Sequence, residues 1–154
     1  MILVDEFTKF LKDNKINFFT GVPDSCLKEF TTYLEKFKKK NHLISINEGS
    51  AVGVGIGYYL SKKEIPLIYM QNSGLGNAIN PIISIAHKKV YSIPLLLLIG
   101  WRGSKNKRDE PQHEAKGKIT PDLLKLLNIN YCILKNKNDF KKLKQLIKKS
   151  KKEK

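Results

Sequence analysis

Apolar residues along the chain fall into two rhythms. Val4, Phe7 and Leu11 recur at helical spacing, as do Leu27, Phe30, Leu34 and Phe37. Between such stripes lie short, nearly unbroken apolar runs bounded by glycine, proline or polar residues. They are residues 16–22 (INFFTGV), 42–46 (HLISI), 65–70 (IPLIYM), 93–100 (IPLLLLIG) and 130–134 (NYCIL). The pattern predicts five strands alternating with helices. Helices are expected over residues 3–14, after a cap at Asp24 or Ser25, and over the glycine-rich segment that begins near Glu48. Further helices are expected over about 75–88, over 119–127 with Pro121 in the first turn, and where Phe140, Leu143, Leu146 and Ile147 share a stripe. Residues 101–118 read as a long polar loop. Near-continuous apolar strands in βα units predict a parallel sheet with helices on both faces, an α/β doubly wound fold.

In such a sheet, ligands bind beyond the carboxyl ends of the strands. The polar and glycine-rich segments gather there: GVPDS (21–25), NEGSA (47–51), QNSGLGN (71–77), and WRG (101–103) with EPQH (110–113). Gly53, Gly55 and Gly57 lie inside a predicted helix instead of opening it, so the dinucleotide fingerprint is not met. Each costs about 1 kcal/mol relative to alanine. Either tight packing on the sheet, or close approach of another backbone or a flat ligand, would offset that cost. Glu48 is an acid favoured by the helix dipole, or a carboxylate, desolvated by its surroundings, that shares a proton with a nitrogen heterocycle. Residues 71–80 are rich in backbone N–H groups at a helix start, as an anion nest or a capped turn would be, but lack the lysine of a P-loop. His113 lies in the polar loop with two arginines and two acids. There is no HExxH, CxxC or GxSxG, so zinc and serine-hydrolase chemistry lack support and no metal site is expected in this chain.

Composition changes the picture little. The 154 residues suit one domain, and 41% are hydrophobic. The net charge of +15 raises the question of nucleic acid. Yet 27 of the 29 basic residues are lysine, and ten of them fall in the last twenty positions. That reads as a solvated face, not a base-reading surface, so no nucleic-acid partner is expected. No apolar run approaches the ~20 residues of a membrane span. The start of the chain turns acidic at Asp5, a helix start and not a signal peptide. Cys26 and Cys132 lie far apart and read as reduced thiols, which gives a cytoplasmic expectation. The chain divides into a domain over 1–134 and a lysine-rich helix and tail over 135–154.

The segments FFTGVPDS (18–25), NEGSAVGVGIGYYL (47–60), PLIYMQNSGLGNAINP (66–81), YSIPLLLLIGWRG (91–103) and DEPQH (109–113) together resemble a known domain. It is the N-terminal pyrimidine-binding (PYR) domain of thiamine-diphosphate-dependent 2-keto acid decarboxylases, and the resemblance reaches to about residue 134. The segments are most similar to those of phosphonopyruvate decarboxylases, while sulfopyruvate decarboxylase alpha subunits share NSGLGN. The resemblance implies that Glu48 hydrogen-bonds N1′ of the cofactor's aminopyrimidine. It sets Asp24 and His113 where related enzymes keep proton-transfer residues, although a single histidine stands where pyruvate decarboxylases have a pair. It implies Pro23, Gly74, Leu75 and Gly76 at the cofactor, and Ser25, Arg102, Arg108 and Gln112 at the substrate, with Lys105 and Lys107 competing for a phosphonate group. The family binds diphosphate and Mg²⁺ in a second domain through Gly-Asp-Gly and a later asparagine. No Gly-Asp-Gly occurs in these residues. The resemblance therefore implies thiamine diphosphate shared with a separate diphosphate-binding subunit that carries Mg²⁺, self-association, and a small 2-keto acid substrate. A truncated remnant and a non-catalytic binding module on the same fold are the alternatives.

Overall fold

The computed structural model describes residues 2–38, 40–104 and 109–152. Its elements are α1 (Val4–Asp13), β1 (Phe19–Gly21), α2 (Lys28–Leu34), β2 (His42–Ile44), α3 (Glu48–Lys62), β3 (Leu67–Gln71), α4 (Leu75–Pro81), β4 (Leu96–Gly100), α5 (Pro111–Leu126) and α6 (Phe140–Lys152). The four strands are parallel in the order β2-β1-β3-β4. Phe19 pairs with His42 on one side and Leu67 on the other, and Leu67 pairs with Leu96.

Side-chain alternation along β3 builds two cores, one on each face of the sheet. Leu67 and Tyr69 join Phe7, Leu11, Phe30, Leu34, Leu143 and Ile147. Ile68 and Met70 join Val52, Ile56, Leu75, Ala78 and Leu124. Helices α1, α2 and α6 thus cover one face, and α3, α4 and α5 the other, which is the doubly wound arrangement. Each such buried side chain contributes about 1.5–3 kcal/mol of hydrophobic stabilisation. The lysine-rich α6 takes part fully: the Phe140 ring lies 4.7 Å from that of Phe10 and 6.0 Å from that of Phe7.

Gly21 has no room for a side chain, because a Cβ would sit 2.7 Å from the Tyr69 ring. The bare backbone lets that ring lie across β1, and its hydroxyl meets His42 Nε2 on β2 at 2.8 Å. Burial raises the Tyr69 phenol to about 12 and lowers the His42 imidazole below its usual range.

Three sequence expectations need correction. Helix α5 starts at Pro111, eight positions before the predicted 119, so His113 sits in a helical first turn and the loop is shorter. Proline at the first position suits a helix start, where its missing N–H costs nothing. Pro121 lies in mid-helix, where it cannot donate to the Gly117 carbonyl four residues back. That carbonyl instead accepts the indole N–H of Trp101 at 2.9 Å. The helix expected over 75–88 ends at Pro81 and continues as a π-turn over Ile82–Ala86. The fifth strand, 130–134, does not form among the described residues. Its ends are tethered by Asn128, in the left-handed region at φ 54°, and by Asp139, which accepts from the N–H groups of Lys135 and Asn136. Between them Cys132 and Leu134 reach the core as side chains, across an apolar cleft of about 1040 Å³ that separates the segment from β4. Among the described residues no helix is long and apolar enough to cross a membrane.

Candidate active site

The carboxyl ends of β1, β3 and β4, and the chain leaving β2, converge on two carboxylates. Asn47 caps α3 by accepting the Ser50 N–H at 2.8 Å. Glu48, the first helical residue, is half-buried. Its Oε2 accepts from Asn77 Nδ2 at 2.8 Å. Its other side lies on Gly74, where a Cβ would overlap the carboxylate. Gly49 rests on the Asn77 carbonyl, 2.9 Å from where its Cβ would be. The starts of α3 and α4 thus interlock at Glu48 through glycines.

The second carboxylate, Asp24, is 9% exposed. It caps the turn over Ser25–Leu27, with Oδ2 accepting the Cys26 N–H at 3.1 Å. Oδ1 accepts from Gln71 Nε2 at 2.6 Å, and Gln71 Oε1 accepts from Ser73 Oγ at 2.8 Å. Gly100 closes against Asp24 Oδ2, leaving no space for a side chain. Burial, followed by the charge of Asp24, pushes the Cys26 thiol up.

Beyond β4, the Arg102 guanidinium forks onto Asp109. Nε donates to Oδ2 at 3.1 Å and a terminal nitrogen donates to Oδ1. This hydrogen bonding holds the Asp109 carboxyl at about 2 and raises Arg102. Asn72 fixes the backbone beneath: its Oδ1 accepts from Arg102 N at 3.2 Å, and its Nδ2 donates to Arg102 O at 3.1 Å and Thr120 Oγ1 at 3.0 Å. Gly103 abuts the His113 carbonyl. His113 Nδ1 is buried without a hydrogen-bond partner among the described residues.

The residues singled out from sequence therefore separate. Asp24 and Arg102 gather with Cys26 and Gly100, and Glu48 gathers with Gly74. The 71–77 segment joins the two groups. Leu75 is buried in the core, whereas Gly76 opens onto free space. Pro23, Ser25 and Gln112 are exposed, and no hydrogen bond ties Gln112 or His113 to either carboxylate. Arg108, Lys105 and Lys107 lie outside the described residues. Sequence reasoning missed Gln71, Asn72, Ser73 and Asn77 as individuals. Their signal was a polar cluster immediately after a buried strand.

The glycines of α3 divide by face. Gly55 packs on the sheet, with a Cβ position 2.7 Å from Ile68 Cδ1. Gly53 and Gly57 have nothing within 4 Å of theirs. With Leu60 at 54% and Ile46 at 91% exposure, they form an open stripe beside Glu48.

Comparison with known proteins gives the family of the chain. The family described as thiamine pyrophosphate enzyme, N-terminal TPP binding domain, matches residues 1–125. The chain is 37% identical over 135 residues to the sulfopyruvate decarboxylase subunit alpha of Methanococcus maripaludis, covering 88% of this chain and 78% of that one. It is 34% identical over 119 residues to the phosphonopyruvate decarboxylase of Streptomyces viridochromogenes, covering 77% of this chain but only 29% of that one. Among solved structures, benzoylformate decarboxylase from Polynucleobacter necessarius superposes with a TM-score of 0.57 at 23% identity, over 75% of this chain and 22% of that one. A thiamin diphosphate-dependent enzyme from Mycobacterium smegmatis gives 0.54 at 20% identity, over 68% and 19%. Those two likenesses show the fold. With the family matched over most of its length, and a glutamate held over glycine at the mouth of α3, this chain belongs to the thiamine pyrophosphate enzymes and carries their N-terminal TPP-binding domain.

Proposed function

We propose that the chain is the pyrimidine-binding half of a cytoplasmic, thiamine-diphosphate-dependent 2-keto acid decarboxylase, completed by a second chain that holds the diphosphate and Mg²⁺. The observation that carries this reading is Glu48. One oxygen is anchored by Asn77, and the other, Oε1, lies against Gly74 and accepts no hydrogen bond from a described residue. A carboxylate oxygen left without a donor fits a ring nitrogen with which it can share a proton. Gly74 and the open surface at Gly76 fit a flat ring laid beside it. When bound, thiamine diphosphate supplies the nucleophilic carbon and the electron sink for loss of CO₂. The chain's own contribution is to hold a proton at Glu48, orient the ring against glycine backbone, and present Asp24 at the same end of the sheet as a proton-transfer group. Arg102 stands near Asp24, but its fork is occupied by Asp109, so gripping a substrate anion there means exchanging one oxyanion for another. His113 and Gln112, at the start of α5, and exposed Ser25 are further candidates for the substrate side.

The open stripe of Ile46, Gly53, Gly57 and Leu60 supports a second chain docking beside Glu48, whether the diphosphate-binding subunit or a second copy. The substrate is a pyruvate with an anionic group on C3. Phosphonopyruvate is the first candidate, and GVPDS with GWRG and DEPQH motivates it. The 37% identity to a sulfopyruvate decarboxylase subunit alpha favours sulfopyruvate equally, and that relative's being one subunit of an enzyme supports the split architecture. The test is co-expression with a candidate partner carrying Gly-Asp-Gly and a downstream asparagine. CO₂ release from either acid, dependent on thiamine diphosphate and Mg²⁺, is the expected outcome. A stable complex that releases CO₂ from neither acid refutes the reading.

A further inference from the structure

The end of β3 and the segment after it connect the two carboxylates, with Gln71 bonded to Asp24 and Asn77 to Glu48. Gln71 is the last residue of β3 and reaches across to the turn after β1, 47 positions earlier in sequence. Its amide has one sensible orientation. Nε2–H must face the Asp24 carboxylate, because a carbonyl oxygen there would meet lone pairs at 2.6 Å. Ser73 Oγ donates to the opposite end of the same amide at 2.8 Å and fixes that orientation. Asp24 is therefore held at both oxygens, by Gln71 from β3 and by the Cys26 N–H from its own turn. Gly100 walls the Oδ2 side. The other charged and titratable groups that act on Asp24 are Cys26 and Arg102, and Asp109 acts in turn on both of those. Of these, Cys26 also hydrogen-bonds the carboxylate through its thiol.

We propose that Gln71 is a positioning residue for the decarboxylation. Through the relay Ser73–Gln71–Asp24, it fixes where the Asp24 carboxylate stands relative to the reacting substrate, and it ties that position to the segment that carries Gly74 beneath Glu48. This inference rests on the decarboxylase reading, and two measurements separate the fate of one from the other.

The first needs no cofactor. Gln71 is one of three glutamines in the chain, so its side-chain amide can be resolved by ¹⁵N–¹H NMR of the full-length protein. A downfield, slowly exchanging amide proton is expected. It should be lost in Asp24→Ala and weakened in Ser73→Ala. An amide that exchanges freely, or that ignores Asp24→Ala, overturns the relay. The second uses the assembly with its partner chain. Gln71→Leu is expected to lower kcat by about tenfold or more with KM changed less than about twofold. Ser73→Ala, which leaves Gln71 in place but unlocks it, should fall between. The double variant Gln71→Leu/Asp24→Asn should be no slower than Asp24→Asn alone, because the glutamine acts only through the aspartate. Losses that multiply, or a loss confined to KM, overturn the positioning role even where the NMR signature is intact. If the native assembly decarboxylates nothing, the functional reading falls, and the amide signature alone decides whether Gln71 holds Asp24.

Discussion

Replacing both Gly53 and Gly57 by alanine should make the isolated chain more stable. Both lie inside α3, where glycine is about 1 kcal/mol worse than alanine, and neither would place a methyl within 4 Å of any atom beyond the adjoining backbone of its own helix. The sites are one helical turn apart, do not contact each other, and add to about 2 kcal/mol. For a chain of 154 residues that is a rise in Tm of roughly 4–8 °C, readable by calorimetry or by circular dichroism at 222 nm. Gly55 is the internal control. A methyl there would stand 2.7 Å from Ile68 Cδ1 and 3.3 Å from Pro66 Cγ, on the buried face. Overpacking costs about 1–3 kcal/mol, enough to cancel or exceed the gain in helix propensity. Gly55→Ala should therefore leave Tm flat or lower it. The double alanine variant should also bind the proposed partner chain less well, since two methyls would stand on the stripe proposed to dock it. A double variant that loses stability refutes the open-face assignment. One that gains stability and assembles normally refutes the stripe as an interface.

Glu48→Gln should leave the fold within about 0.5 kcal/mol of native, because a half-exposed amide can replace the carboxylate toward Asn77 with a flipped side chain. It should reduce turnover of the reconstituted enzyme by about 10²–10⁴-fold, the usual worth of a placed acid–base group, as measured by CO₂ release. Asp109 is depressed from 3.8 to about 2 by Arg102, so the pair stabilises the fold fully above about pH 4, and that stabilisation is lost as pH falls through about 2. Asp109→Asn should flatten the acid limb of a stability-against-pH curve. His42 is depressed below its usual 6.5 by burial, so the unfolded chain binds the proton more readily. Stability should decline as pH falls below about 6.5, and His42→Gln should remove that slope in urea titrations. Trp101→Phe leaves the Gly117 carbonyl without its donor in a buried turn and should cost about 1–3 kcal/mol, read from the urea midpoint.

The two-faced sheet was legible because the strands carry continuous apolar runs and the helices carry stripes, and side-chain alternation has one solution once both faces are covered. Glu48 was legible as a charge at a helix mouth, and Asp24 as a cap. The early start of α5 was not. Gln112 to Lys118 is polar, and Gly117 and Pro121 are both poor helix formers. The helix stands there because Gly117 lets the Arg102–Gly103 backbone approach and Trp101 satisfies the carbonyl that Pro121 abandons. Those partners are distant in sequence, so no local window contains the reason. Residues 130–134 show the converse. Their pattern fits a strand, but turns at both ends hold the backbone away from β4 while the side chains still reach the core. The Gln71–Asp24 contact was invisible for a similar reason, since long-range side-chain pairing leaves no periodic trace.

At the tip of β3, neighbouring side chains depart in opposite directions: Gln71 toward the turn after β1, and Asn72 toward β4 and α5. Three connections are thereby pinned to one dipeptide. Their lengths should tolerate neither insertion nor deletion.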